Sequence, residues 1–249
     1  MPNTIVITGA SSGIGKALAI HYARQNRNLI LTGRNRARLN ETADICKKKG
    51  ANVVSQTIDV TNKSAMQEWL MMQDSQHPID LVIANAGCSS TQIQMQYQND
   101  HDIEAAMVNI HFQGMLNTIH PILPSMLERK SGQIALMSSM NAFFPLARSA
   151  IYGSQKAAVY HYGLSSRARY LQCGVQFNVI CPGWVNSALT ALNRFPMPWK
   201  MSEEKAAAII SRGLGHNKAV IRFPWQLNWV RYLFQCLPLS LQQAIAKKC

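Results

Sequence analysis

Thr8-Gly9-Ala10-Ser11-Ser12-Gly13-Ile14-Gly15 stands between a β-branched run, Thr4–Thr8, and a stretch with helical spacing, Ile14–Gln25. A strand, a glycine turn and a helix in that order make a phosphate cradle. Glycine tolerates positive φ and lets backbone N–H groups approach a ligand. The helix N-terminus beyond supplies free donors and a partial positive charge for a pyrophosphate. Gly9, Ser11, Ser12, Gly13, Ile14 and Gly15 are therefore expected to hold the phosphates of a dinucleotide. The spacing, Gly-x3-Gly-x-Gly, differs from the GxGxxG of the long dinucleotide-binding fingerprint.

The same alternation continues for most of the 249 residues. Short aliphatic or β-branched runs recur at Leu29–Thr32, Asn52–Ile58, Leu81–Ala84, Gln133–Met137, Val175–Ile180 and Ala219–Ile221. Helical spacing fills the intervals, as in Arg36–Lys49 and Ser64–Met72. Several runs are continuously apolar, the pattern of strands buried on both faces of a parallel sheet. The expectation is an α/β fold: one Rossmann-type, doubly wound parallel sheet of about seven strands with helices on both faces, residues 1–249 forming a single domain. A composition of 47% hydrophobic and 15% charged residues excludes a disordered, collagen-like or coiled-coil chain.

Cofactor choice is written at the end of the second strand. An NAD site wants an acid there for the ribose hydroxyls, whereas NADP needs a cation for its extra phosphate. The chain reads Leu31-Thr32-Gly33-Arg34-Asn35-Arg36, and its first acidic residue is Glu41. A guanidinium can fork onto phosphate and stack on adenine. Arg34 therefore favours NADP (as NADPH) over NAD.

Further along, Ser139 precedes Tyr152-Gly153-Ser154-Gln155-Lys156. Tyr152 and Lys156 are spaced i, i+4 and share one face of a helix. A free tyrosine, with a pKa of about 10, is a poor base near neutrality; an ammonium beside it favours phenolate, and a nicotinamide cation nearby would add to that. Lowering that pKa to about 7 requires roughly 4 kcal/mol of differential stabilisation, a plausible demand on two close positive charges in a dry site. A serine hydroxyl across the pocket can hold a carbonyl or alkoxide oxygen while Tyr152 moves the proton.

TGASSGIG, the triplet Asn85-Ala86-Gly87 after the fourth strand, Ser139 thirteen residues before Tyr152, and YGSQK together resemble the short-chain dehydrogenase/reductase family. Cys181-Pro182-Gly183 and Ser187 after the sixth strand fit the same pattern, and the likeness covers about residues 3 to 225. It implies that Tyr152 gives or takes the proton, that Lys156 lowers the tyrosine pKa and binds the nicotinamide ribose, and that Ser139 positions the substrate. It also implies that Asn85 supports the central strands, that Asn85, Ala86 and Gly87 bind the cofactor, that Asp59 and Val60 border the adenine, and that Pro182, Gly183, Val185 and Ser187 border the nicotinamide. The reaction implied is NADP-dependent interconversion of a carbonyl and an alcohol. The family's proton-relay Asn is ambiguous here. Counting back from Gly114 puts His111 there; counting forward from Asn85, together with residue type, favours Asn109. The likeness further implies a homodimer or homotetramer built partly through the helices 109–128 and 152–171.

The loop 187–201 (SALTALNRFPMPWKM) is long and apolar, and at the carboxyl edge of a parallel sheet it suits a substrate lid. With the aromatic helical tail 224–249, it points to a hydrophobic substrate. The tail suits packing over the substrate pocket, a subunit interface, or peripheral contact with a membrane surface beside its basic residues. The net charge is +13, with 15 Lys or Arg against Glu203 and Glu204 from Arg129 onward and no acid after Glu204. The cations are mostly isolated and no recognition motif accompanies them, so anionic small ligands are expected and nucleic acid is not. His21, His77, His101, His120, His161 and His216 show no metal-ligand spacing, and no metal is expected. Six cysteines without paired spacing read as free thiols. With no signal-peptide pattern and no apolar stretch of bilayer length, the expected location is the cytoplasm, with membrane association left open by the tail. The rival reading is a non-catalytic NADP-binding regulatory or interaction protein, against which the intact Ser139/Tyr152/Lys156 set argues.

Overall fold

The computed structural model describes residues 2–187, 190 and 196–248, the side chains of Ser90 and Lys248 excepted. The described strands are β1 (Thr4–Thr8), β2 (Asn28–Gly33), β3 (Asn52–Thr57), β4 (Leu81–Ala84), β5 (Gly132–Met137), β6 (Val175–Pro182) and β7 (Val220–Phe223). They form one sheet in the order β3-β2-β1-β4-β5-β6-β7, parallel at every pairing. The helices are α1 (Gly13–Tyr22), α2 (Arg36–Lys48), α3 (Lys63–Gln76), α4 (Ser90–Gln94), α5 (Asp100–Val108), α6 (Gly114–Ile119), α7 (Leu123–Glu128), α8 (Ala150–Tyr170), α9 (Glu203–Gly215), α10 (Trp225–Cys236) and α11 (Leu239–Lys248).

Strand alternation sorts the apolar side chains between two layers. Ile5, Ile7, Leu29 and Leu31 pack with Leu18, Leu39 and Ile210 from α1, α2 and α9. Val6, Ile30, Val82 and Leu136 pack with Met66, Met115 and Val159 from α3, α6 and α8. Both faces are covered, which is why these strands read as unbroken apolar runs.

The chain enters at β1, runs outward to β3, then returns to β4 on the other side of β1. That reversal opens a crevice at the carboxyl ends of β1 and β4, where ligands bind in open α/β sheets. The glycine turn, Arg34, Asn85–Gly87, Ser139 and Pro182–Gly183 lie at the carboxyl ends of β1, β2, β4, β5 and β6, along the same edge of the sheet.

The structure redraws some boundaries. Helix α1 stops at Tyr22, and Ala23 is extended. The stretch expected as one helix over 109–128 is a π-helical segment, Asn109–Gln113, followed by α6 and α7. Pro121 and Pro124 account for the second break, since proline cannot donate to the preceding turn and Pro124 sits in the first turn of α7. The tail divides at Pro238 into α10 and α11. Of the expected lid, residues 188–189 and 191–195 lie outside the described residues. On its flanks Val185 pairs with Met201.

Candidate active site

The glycine turn is held by the triplet after β4. Asn85 Nδ2 donates to Thr8 O at 2.9 Å, and the backbone N–H groups of Asn85 and Ala86 each donate to Thr8 Oγ1 at 3.1 Å. Gly9 has φ +69°, the left-handed region that favours glycine. A Cβ on Gly15 would overlap the Gly9 carbonyl and come within 2.6 Å of Asn85 Nδ2, so α1 can approach the turn this closely only without a side chain there. Ser12, the N-cap of α1, is extended and its side chain caps no N–H, and the first turn contains no acid. The donors and dipole of α1 are thus left to a ligand, and these residues fit a dinucleotide phosphate. Ser187 closes the far side: its Cβ would lie 3.4 Å from a Cβ on Gly13.

At the end of β2, Ser11 Oγ lies 3.0 Å from the position of a Cβ on Gly33. Arg34 is half-exposed, and its Nη1 is 3.9 Å from Asp59 Oδ2. Asp59 is also an acceptor for Thr61 N (2.9 Å) and Thr61 Oγ1 (2.8 Å). Val60 is buried and its carbonyl accepts from Asn117 Nδ2 at 2.9 Å.

Ser139 follows β5, Tyr152 and Lys156 lie in the first two turns of α8, and the structure brings the three together. The Ser139 hydroxyl accepts from Asn141 N at 3.1 Å and donates to Pro182 O at 3.5 Å. Lys156, 4% exposed, donates from Nζ to Met137 O at 2.9 Å and lies 5.6 Å from the centre of the Tyr152 ring. Ser138 donates from Oγ to Lys156 O at 2.7 Å and so ties the end of β5 to α8.

Electrostatics depart from the expectation for the phenol. Burial pushes Tyr152 up to about 12, with a hydrogen bond to Ser139 drawing it partly back and the Cys88 thiol adding to the rise. Burial lowers Lys156 to about 8, opposed by Cys88 and Cys181. Desolvation disfavours the charged form of both groups. Spacing along a helix shows a lysine next to a tyrosine; it does not show how dry both are.

The two candidates for the relay position separate. Asn109 is exposed. His111 is 3% exposed and packs edge-on to Tyr152, ring centres 5.4 Å apart. Its Nε2 lies 3.0 Å from Cys88 O and 3.6 Å from Cys88 Sγ, and its Nδ1 is buried without a protein partner. Burial, with Lys156 nearby, keeps the imidazole well below its ordinary pKa and so neutral. The π-helical segment inserts an extra residue per turn and resets which side chains face inward. No sequence signal announces such a turn, but the count back from Gly114 finds its outcome. Cys88, packed behind His111, was not singled out by the sequence at all.

Both the sequence and the fold have likenesses among known proteins. Residues 3–195 match the family described as short chain dehydrogenase. The chain belongs to the short-chain dehydrogenase family. A Myxococcus xanthus protein named as an oxidoreductase is 33% identical over 246 residues, 98% of this chain and 96% of that protein. One from Staphylococcus epidermidis, also named as an oxidoreductase, is 34% identical over 206 residues, 81% of this chain and 86% of that protein. Among solved structures, a short-chain dehydrogenase from Sphingobium yanoikuyae in complex with NADPH superposes with a TM-score of 0.79 at 22% identity, covering 95% of this chain and 97% of that one. A Mycobacterium paratuberculosis short chain dehydrogenase bound to NAD gives 0.74 at 19%, covering 88% and 94%. These structural likenesses establish the fold of this short-chain dehydrogenase. Among its described residues no group of three or more His, Cys, Asp or Glu could hold a metal ion, and no helix is long and apolar enough to cross a membrane.

Proposed function

We propose that this short-chain dehydrogenase works as one catalytic domain that uses NADP(H) to interconvert a hydrophobic carbonyl compound and its alcohol. The observation that carries the reading is the Ser139, Tyr152 and Lys156 set beside an uncapped glycine turn, with Arg34 and no acid at the end of β2. When bound, NADPH supplies the hydride to the carbonyl carbon. Tyr152 gives the proton to the carbonyl oxygen. Held up at about 12, its phenol stays protonated across the physiological range, which suits donation. Ser139 holds the same oxygen through its hydroxyl. Lys156, at about 8, is mostly ammonium at pH 7, holds the ribose and favours the phenolate left after proton transfer. His111, rather than the exposed Asn109, takes the relay position: its Nε2–H is spent on Cys88 O, and the unengaged Nδ1 is an acceptor that holds the water from which Lys156 is reprotonated.

NADP is favoured by the chain's own residues, since structural neighbours are known with either cofactor. The Arg34–Asp59 contact, at 3.9 Å between half-exposed groups, is worth about 0–1 kcal/mol and yields readily to a 2′-phosphate. The test gives purified protein NADPH or NADH with a panel of hydrophobic aldehydes and ketones, followed at the reduced-nicotinamide absorbance. Turnover preferring NADPH and longer-chain carbonyls is expected. No turnover with either cofactor, or a preference for NADH, would contradict the reading.

A further inference from the structure

The tail lies against the substrate side of the site. Residues 140–149 connect Ser139 to the helix that carries Tyr152; α10 packs on Met140–Phe143 and α11 on Ala147–Ser149. The inner face of α10 makes this contact: Phe234 meets Phe144 with ring centres 5.3 Å apart, and the Arg231 guanidinium lies 5.2 Å from the centre of the Phe143 ring. Leu227 packs so closely on Gly183 that a Cβ there would overlap its Cδ1, at 2.5 Å.

The outer face is more aromatic than the inner one. Trp225, Trp229, Tyr232 and Leu233 are spaced i, i+4, i+7 and i+8, so they share one stripe, and they are 69%, 60%, 56% and 62% exposed. Leu239 and Leu241 on α11 continue the exposed apolar surface. An ordinary surface helix turns such a stripe toward the core. Here the stripe faces outward, and the charges near it have one sign. No Asp or Glu occurs after Glu204, while Arg148 beside α11 and Lys247 near its end are exposed.

We infer that α10 and α11 are an interfacial anchor that seats the protein on an anionic phospholipid surface. The helices, 12 and 10 residues long, fall short of the about 20 needed to span a bilayer. Lying in the interface they place tryptophan and tyrosine at headgroup depth, where an apolar ring with a polar edge is stable, and cations against lipid phosphate. Charge chooses this occupant over a second copy of the chain. A two-fold contact through this face would set tail against tail with no acid in either to answer the cations. The anchor would turn the wall formed by residues 140–149 toward the lipid, delivering substrates dissolved there. That last step rests on the carbonyl–alcohol reading; the docking does not.

The experiment is co-sedimentation of the full chain with phosphatidylglycerol-containing vesicles and with pure phosphatidylcholine vesicles, read alongside tryptophan emission. Binding to the anionic vesicles that weakens with salt, and a blue-shifted emission, are expected. Trp225→Ser/Trp229→Ser should lower partitioning at least about tenfold while leaving turnover of a water-soluble carbonyl unchanged. Lys247→Glu/Lys248→Glu, which spares the apolar face, should lower binding to the anionic vesicles at least about fivefold per cation. Absence of vesicle binding, equal binding to both lipids, or variants that bind like wild type would overturn the anchor. So would a serine variant that converts a dimer to a monomer in a protein that never binds lipid, which assigns the face to a second copy. Vesicle binding by a protein that reduces no carbonyl would leave the anchor standing and remove the reaction.

Discussion

Lys156→Met should make the protein more stable and less active at pH 7. The amine is 4% exposed, and burial lowers it from its ordinary 10.5 to about 8. Holding the ammonium in the folded state therefore costs about 3 kcal/mol at pH 7. Methionine fills a similar volume without that charge. It forfeits the 2.9 Å bond from Nζ to Met137 O, worth about 1–2 kcal/mol. The net gain is about 1–2 kcal/mol, or roughly 3–6 °C in Tm for a chain of this size. The sign depends on pH in a defined way. Between pH 8 and 10.5 the unfolded lysine keeps its proton while the folded amine has lost it, so wild-type stability rises through that window. The advantage of the variant is complete below pH 8, shrinks across the window, and reverses to about −1 kcal/mol above 10.5, where only the lost hydrogen bond remains. Urea unfolding of both proteins at pH 7 and at several points up to pH 10.5 measures this directly. Turnover by the variant should fall at least about 100-fold. A variant less stable than wild type at pH 7, by an amount that does not change with pH, would refute the reasoning about the buried amine.

Three further substitutions probe other parts of the site. Gly15→Ala forces its methyl into the Gly9 carbonyl and Asn85. It should cost about 1–3 kcal/mol of stability and weaken NADPH binding at least about 30-fold by fluorescence titration. Arg34→Ala should raise the KM for NADPH about 30-fold, equivalent to one lost charge-assisted contact of about 2 kcal/mol, and leave the KM for NADH within about twofold. His111→Ala should lower kcat about 10–100-fold and shift the pH profile, with partial recovery in His111→Asn, whereas Asn109→Ala should stay within about twofold of wild type.

The parts of this protein legible in the sequence are those set by short-range rules. Glycine spacing marked the turn after β1, continuous apolar runs marked strands covered on both faces, and the i, i+4 spacing of Tyr152 and Lys156 put them on one helical face, as found. What the sequence withheld depends on tertiary burial. A count of charges predicts a lowered Tyr152 pKa, because it sees Lys156 and not the desolvation that lifts the phenol to about 12. The π-helical turn that leaves Asn109 exposed and His111 inside changes the register by a local rearrangement no periodicity records. The tail reads as aromatic and helical, but only its packing on residues 140–149 shows which face is left outside.

The central claim is that Tyr152 is a proton carrier whose acidity is set by burial and by the positive charges brought to it. Tyrosinate absorbance at alkaline pH, taken as wild type minus Tyr152→Phe with and without NADP+, follows that single phenol. The account predicts ionisation near 12 in the protein alone, a fall toward neutrality with NADP+ bound, and loss of at least about 1000-fold in turnover for the phenylalanine variant. A phenol that titrates at the same pH with and without NADP+, or a phenylalanine variant that turns over like wild type, would contradict it.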